Sequence, residues 1–215
     1  SCYYLKTLTL EEGVETLKAS SLFQLISLKD FYIPKSLTTI EHYAFTNIGA
    51  YTEEKMPYFH CAEGGNFVFD GITFKSADGK KIIYTDKYQT EFHAGAEVDE
   101  LYPELFKTLN GDSPLTTVII DGNIDTIYEE TFLSCNQLTS VRFNGTVREI
   151  QGSQGWYSGP YGGREWGFNS QAAFAGCSYI NNVNLPYGLK ILGQAAFHST
   201  FGCNVGWSEI VLPDT

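Results

Sequence analysis

A spacing of apolar residues that recurs every 23 positions constrains the fold of this chain more than any other feature. Within each segment, successive apolar residues are separated by three, two, four and three positions. Five segments follow this pattern: Leu5–Leu17, Leu28–Ile40, Leu115–Ile127, Leu138–Ile150 and Ile180–Leu192. The pattern therefore predicts a repeat protein rather than one or two globular domains.

Each repeat contains the signature of one short strand. In Val141-Arg142-Phe143, apolar residues alternate with a polar one, and the next residue, Asn144, disfavours a central strand. A Phe such as Phe132 follows five positions after the last apolar residue of the pattern and is expected to face the same core from the opposite side. One coil cannot bury these residues alone, whereas stacked coils can, with strands about 4.8 Å apart in a parallel sheet.

The fold class predicted from this pattern is α/β: a β-rich solenoid of 23-residue repeats. It has a parallel sheet on one face and short helical turns or loops on the other. Residues 1–215 form a single domain with about eight strand positions. These positions are centred on Leu8, Phe31, Phe67, Phe92, Val118, Val141, Val183 and Ile210. Both ends fall inside a repeat, so we expect the chain to be a segment of a longer one.

Cysteines follow the same pattern. Cys135 and Cys177 each lie three positions before the first apolar residue of a repeat, and Cys2 and Cys61 are assigned to the same place. A column of small, buried free thiols is the expected arrangement. A disulfide between coils or a metal site remains an alternative, although no CxxC motif accompanies these residues.

Three segments carry a family resemblance. IPKSLTTIEHYAF (33–45) and LPYGLKILGQAAF (185–197) resemble the BspA-like class of bacterial surface leucine-rich repeats, and DGITFKSADGKKIIYTDK (70–87) is similar to a hairpin that recurs in that family. Asp78-Gly79 in this hairpin is itself a tight-turn signal. The resemblance implies a curved solenoid, exported to or tethered at the cell surface, in proteins regarded as adhesins or host-binding molecules. It implies no catalytic residues.

Two insertions interrupt the repeat, near residues 46–57 and 151–171. The second is rich in Gly and aromatic residues, which supply contact area at low entropic cost. Its rings could anchor a protein partner, stack on sugars, or pack against the solenoid as a small satellite core. Its candidate partner-binding residues are Trp156, Tyr157, Tyr161, Arg164 and Trp166.

The middle residue of each predicted strand faces outward on the sheet, where repeat proteins commonly bind partners. Tyr32, Ile119 and Arg142 are the candidates on this surface.

Composition and motifs argue against several functions. The formal net charge of −11 disfavours nucleic-acid and anionic membrane partners, and no apolar run is long enough to enter a bilayer as a spanning helix. The four His residues are scattered, and no nucleophile or metal motif is present. We therefore expect no enzymatic activity, no catalytic or metal-binding residues and no cofactor.

Together these features predict a non-catalytic, extracellular or cell-surface recognition or adhesion module that binds a host or neighbouring-cell protein. A glycan-binding module that uses the aromatic insertion is the first alternative. A structural spacer that holds another domain away from the cell wall is the second.

Overall fold

The structure, a computed structural model, describes residues 2–50, 52, 56–108, 110–153, 171–180 and 182–197. These residues form a β-solenoid of short strands. The strands are β1 (Thr7–Thr9), β2 (Thr16–Leu17), β3 (Asp30–Ile33), β4 (Thr39–Ile40), β5 (Tyr58–Cys61), β6 (Phe67–Phe69), β7 (Thr73–Ser76), β8 (Lys81–Thr85), β9 (Glu91–Ala94), β10 (Glu100–Leu101), β11 (Thr117–Ile120), β12 (Ile124–Ile127), β13 (Ser140–Phe143), β14 (Val147–Ile150), β15 (Asn182–Val183) and β16 (Ile191–Leu192).

The first strands of consecutive coils pair in parallel within two separate sheets, β1-β3-β5 and β15-β13-β11-β9. Leu8 lies opposite Phe31 in β1 and β3. Val118 lies opposite Val141, which in turn lies opposite Val183, in β11, β13 and β15. The predicted stacking of coils is confirmed at these positions.

A second strand in most coils forms further parallel ladders. Ile127 lies opposite Ile150 in β12 and β14, and Ile150 lies opposite Leu192 in β16. The same relationship joins Leu17 to Ile40 in β2 and β4. The last apolar position of the repeat is therefore a second ladder, which is buried at Leu17, Ile40, Ile127 and Ile150 and 48% exposed at Leu192.

The predicted third strand position, Phe67, is wrong. Phe59 in β5 is the residue that lies opposite Phe31, 28 positions along the chain, so the preceding insertion adds five residues to the 23-residue period. Phe67 lies in β6, which pairs antiparallel with β7. Both positions present an aromatic residue to the core, and only the tertiary structure distinguishes them.

The segment at 70–87 contains the antiparallel pair β7 and β8. Its tight turn has Gly79 at a φ of 77°, and the Asp78 carboxylate accepts hydrogen bonds from the Ser76 hydroxyl (2.6 Å) and the Lys80 amide (3.1 Å). β8 then pairs in parallel with β10. The hairpin thus returns the chain to the solenoid.

The predicted helical turns are not found, because the described part of the chain contains no helix. The turns that carry the repeated Phe donate their amides to the next coil instead: Phe132 to the carbonyl of Ala173 (2.9 Å) and Phe174 to that of Ala196 (3.0 Å). Non-glycine residues in the left-handed region interrupt these turns two positions before the repeated Phe or Leu. They are Ser20, Tyr43, Glu104, Glu130 and Ala195. Hydrogen bonding between coils therefore takes the place of hydrogen bonding within a helix. The predicted α/β class is wrong in this respect, and the described residues form a β-solenoid.

Stacked rings form part of the interior. The Phe106 and Phe132 ring planes lie within 9° of each other, with centroids 5.5 Å apart. Phe174 continues this column 4.9 Å beyond Phe132, and Phe197 follows 5.0 Å later. Parallel stacking follows from placing one Phe at the same position of successive coils.

The cysteine prediction is correct for only part of the set. Cys135 and Cys177 are fully buried free thiols, as expected. The Cys177 thiol donates to the Phe132 carbonyl (3.1 Å), and burial raises its pKa. Cys61 instead lies in β5 opposite Ile33, and Cys2 is exposed. The error at Cys61 follows from the misplaced third strand.

Candidate recognition surfaces

The aromatic insertion is fixed to the solenoid at its base. The Ala173 amide donates to the Gln151 carbonyl (3.1 Å), so the chain leaves and re-enters the coil at one point. The Ser153 amide donates to the Gln194 carbonyl of the next coil (2.8 Å). Residues on both sides of the insertion are therefore part of the regular hydrogen-bonding network between coils.

All five candidate residues of this insertion lie outside the described residues, which end at 153 and resume at 171. Their role remains a prediction. These residues are Trp156, Tyr157, Tyr161, Arg164 and Trp166.

Two of the three sheet candidates are neighbours. Ile119 in β11 lies directly opposite Arg142 in β13, and His93 in β9 lies opposite Ile119 on its other side. The His93 ring nitrogen lies 2.6 Å from a carboxylate oxygen of Asp121. The Asn144 side-chain amide donates to the other oxygen (2.6 Å), and these two hydrogen bonds, that from Asn144 first, lower the pKa of Asp121. This surface carries both signs of charge.

Tyr32 belongs to a separate sheet, β1-β3-β5. Its ring stacks on that of His60 in β5, with centroids 4.1 Å apart and planes within 4°. Tyr58 also packs against His60, with ring centroids 4.8 Å apart, and is 55% exposed. The Asp30 carboxylate lies 2.9 Å from the His60 ring nitrogen. Three rings and a carboxylate thus share one outward surface.

Sequence reasoning missed Tyr58 and His60 because it placed the third strand at Phe67. A signal was present: Phe59 and Cys61 reproduce the inward alternation of Phe31 and Ile33. This signal is easily missed because the spacing from Phe31 to Phe59 is 28 positions, five more than the period.

Arginine and carboxylate side chains also join consecutive coils at a separation of one repeat. The Arg148 guanidinium donates to both oxygens of Asp125, at 2.7 and 2.8 Å. This charge-assisted pair lowers the pKa of Asp125 to about 2. Because both groups are exposed, we interpret the pair as part of the coil-to-coil network rather than as a binding site.

A charged cluster is buried where the hairpin interrupts the solenoid. The Lys107 ammonium lies 2.9 Å from Glu104 and 2.8 Å from Glu130, and the Lys87 ammonium donates to the Lys107 carbonyl (2.8 Å). The Thr46 hydroxyl, 58 positions away in sequence, donates to Glu104 (2.6 Å). Lys87, Glu104 and Glu130 are buried and Lys107 and Thr46 are partly buried, so we assign them a structural role in joining these segments of the solenoid.

No group of three or more His, Cys, Asp or Glu side chains that could hold a metal ion occurs among the described residues. Over the same residues, no helix is long and apolar enough to cross a lipid bilayer.

Two solved structures resemble this solenoid. A leucine-rich cell surface protein from Faecalibacterium prausnitzii A2-165 is 20% identical, with a TM-score of 0.57, and the match covers 93% of this chain and 52% of that one. The pneumococcal vaccine antigen PcpA is 16% identical, with a TM-score of 0.55, over 88% of this chain and 47% of that one. The chain therefore spans about half the length of either protein, and at these identities the likeness shows the fold alone.

No curated protein matches the chain significantly. The family model described as the BspA type leucine-rich repeat region matches residues 1–89, 88–154 and 170–213, in six copies. These matches include nearly the whole chain and leave out most of the aromatic insertion. The chain is therefore a member of the BspA-type leucine-rich-repeat family.

Proposed function

We propose that this chain is a non-catalytic recognition module that acts at the cell surface or outside the cell and binds a host or neighbouring-cell protein. One observation carries the proposal: an insertion rich in aromatic residues begins and ends at a hydrogen-bonded base on a regular solenoid, where the Ala173 amide donates to the Gln151 carbonyl. Loops held by a rigid scaffold are the usual location of binding residues.

The composition of the insertion favours a protein partner. Trp156, Tyr157, Tyr161 and Trp166 are of the residue types that dominate binding energy at protein interfaces, and Arg164 is a third such type. The Gly residues between them would allow the backbone of the insertion to approach the backbone of the partner closely. The location is supported by the family and by the two similar structures, which are those of a cell surface protein and a vaccine antigen.

Deletion of residues 154–170 tests the proposal. Gln151, Gly152 and Ser153 stay in place, because Gln151 donates to the Ile127 carbonyl of the preceding coil and the other two contact Gln194 of the next coil. A short Gly linker joins Ser153 to Gln171. The deleted variant and the parent are compared in a screen against surface proteins of candidate host and neighbouring cells. We expect the variant to retain the circular dichroism spectrum and to lose the partner.

Single substitutions test whether binding needs the rings themselves or only an insertion of this length. Trp156→Ala and Trp166→Ala are expected to weaken binding, whereas Tyr187→Ala, at a 67% exposed tyrosine on the solenoid itself, is the matched control. Partner binding that survives the deletion would contradict the role of the insertion. Binding to a glycan array rather than to any protein would favour the sugar-stacking alternative instead.

A further inference from the structure

The outward surface of the sheet β1-β3-β5, here called the tyrosine face, has an unusual set of side chains. It carries rings, hydroxyl groups and a single carboxylate, and it carries neither Lys nor Arg. Its outward residues, in register across the three strands, are Thr7, Asp30 and Tyr58 in one row and Thr9, Tyr32 and His60 in the next.

The rings of the tyrosine face are held in place by one another. Tyr32 stacks on His60, and Tyr58 contacts both the His60 ring and, edge to face, the Phe69 ring 5.1 Å away. Tyr32 and Tyr58 nevertheless remain 41% and 55% exposed. A fixed platform of exposed rings binds a ligand without first having to lose side-chain freedom.

The Asp30 carboxylate is the acidic group of this platform, and one of its oxygens lies 2.9 Å from the His60 ring nitrogen. The faces of aromatic rings carry partial negative charge, and the Asp30 carboxylate lies within the same row of outward residues as Tyr58. The net charge of the whole chain, −11, adds a field of the same sign. Ring faces beside a carboxylate are the arrangement that recognises an ammonium or guanidinium group.

We propose that the tyrosine face binds an Arg- or Lys-bearing segment of a partner protein. This inference rests on the proposed function only in taking the partner to be a protein. It adds that the partner presents a basic side chain. A basic side chain lies over the exposed Tyr32 and Tyr58 rings, with its charge directed to the Asp30 carboxylate.

The sheet β15-β13-β11-β9, here called the second sheet, offers an internal comparison. Its outward residues His93, Ile119 and Arg142 include a cation and lack a tyrosine. The same chain therefore contains one strand surface that attracts a basic segment and one that does not.

The experiment uses the full chain and a fluorescent peptide of alternating Gly and Arg, with a Gly-Glu peptide of equal length as the reference. Dissociation constants are measured by fluorescence anisotropy at physiological salt, where exposed charges are largely screened beyond about 8 Å. Tyr32→Ala, Tyr58→Ala and Asp30→Asn are expected to raise Kd for the Arg peptide roughly three- to tenfold each.

Matched controls remove the same groups elsewhere. Tyr187→Ala removes an exposed tyrosine outside the face, and Glu91→Gln changes the net charge by the same amount as Asp30→Asn but on the second sheet. Both are expected to change Kd less than about twofold. Tyr32→Phe, which keeps the ring, is expected to retain binding.

Several outcomes would overturn the proposal. They are no binding of the Arg peptide by the parent, an equal loss in Glu91→Gln and Asp30→Asn, preferential binding of a neutral oligosaccharide at the face, and self-association of the chain that Tyr58→Ala abolishes. The variant lacking 154–170 distinguishes this proposal from the previous one. It should retain full affinity for the Arg peptide even where it has lost the partner of the insertion.

Discussion

The rings of Phe132 and Phe174 stack with centroids 4.9 Å apart and planes within 10°, although 42 positions separate them in sequence. The uninterrupted period is 23 positions, as between Val118 and Val141. The column of stacked rings therefore continues from Phe132 to Phe174 although the insertion lies between them in the sequence.

Phe132→Ala is expected to lower the free energy of unfolding by roughly 3–5 kcal/mol, because the ring is fully buried and lies between two stacked rings. Phe197→Ala, at the same repeat position of a later coil, should cost less because Phe197 is only partly buried. Urea denaturation of both variants followed by circular dichroism gives the comparison. Equal losses would contradict the burial difference.

Gly145→Ala is expected to destabilise the chain by more than about 2 kcal/mol. A methyl group at Gly145 would overlap the carbonyl oxygen of Gly122 in the neighbouring coil, a backbone atom that cannot rotate away. Gly13→Ala is the control, since Gly13 has open space around it and a φ of 103°, so its cost is conformational only. A smaller loss at Gly145 than at Gly13 would show that neighbouring coils can separate at this turn.

Lys87→Met is expected to change the pH dependence of stability. Burial lowers the pKa of Lys87 to about 8 from its ordinary 10.5. Between these values the unfolded chain binds a proton that the folded chain does not, so the Lys87 contribution favours folding increasingly as pH rises. Below pH 8 the buried charge costs roughly 3 kcal/mol, and Met removes that cost.

The measurement is the difference in unfolding free energy between parent and Lys87→Met at pH 7 and pH 10. We expect the stability of the variant relative to the parent to fall across this interval by an amount approaching 3 kcal/mol. Lys29→Met removes an exposed charge as the control. A difference that stays constant with pH would contradict the prediction.

Trp156→Ala is expected to change the free energy of unfolding by less than about 0.5 kcal/mol, as for a surface residue of a binding loop. Loss of stability similar to that of Phe132→Ala would support the satellite-core interpretation of the insertion. Thermal unfolding of the two variants side by side distinguishes these outcomes.

Native-state alkylation is expected to separate the cysteines. Cys2 is exposed and should react with iodoacetamide, whereas Cys135 and Cys177 are fully buried, and burial raises the pKa of the Cys177 thiol. Peptide mapping by mass spectrometry should find Cys177 modified only after denaturation. Rapid native labelling of Cys177 would show that the coils open locally beside the insertion.

The sequence by itself determined the solenoid, its period and most of its register. Apolar residues at fixed intervals can all be buried only if coils stack, so the pairing of Leu8 with Phe31 and of Val118 with Val141 follows from spacing alone. The buried column of Phe follows for the same reason, because one repeat position always faces the interior.

Only the tertiary structure decided the third strand and the conformation of the Phe turns. Phe59 and Phe67 are both apolar residues near the expected position, and the register depends on which one pairs with β3. The choice of Phe59 brings His60 onto Tyr32 and creates the tyrosine face. The turns are not helical because their amides donate to carbonyl groups of the next coil. These acceptors lie more than 20 positions away in sequence, so the residues of the turn alone do not reveal them.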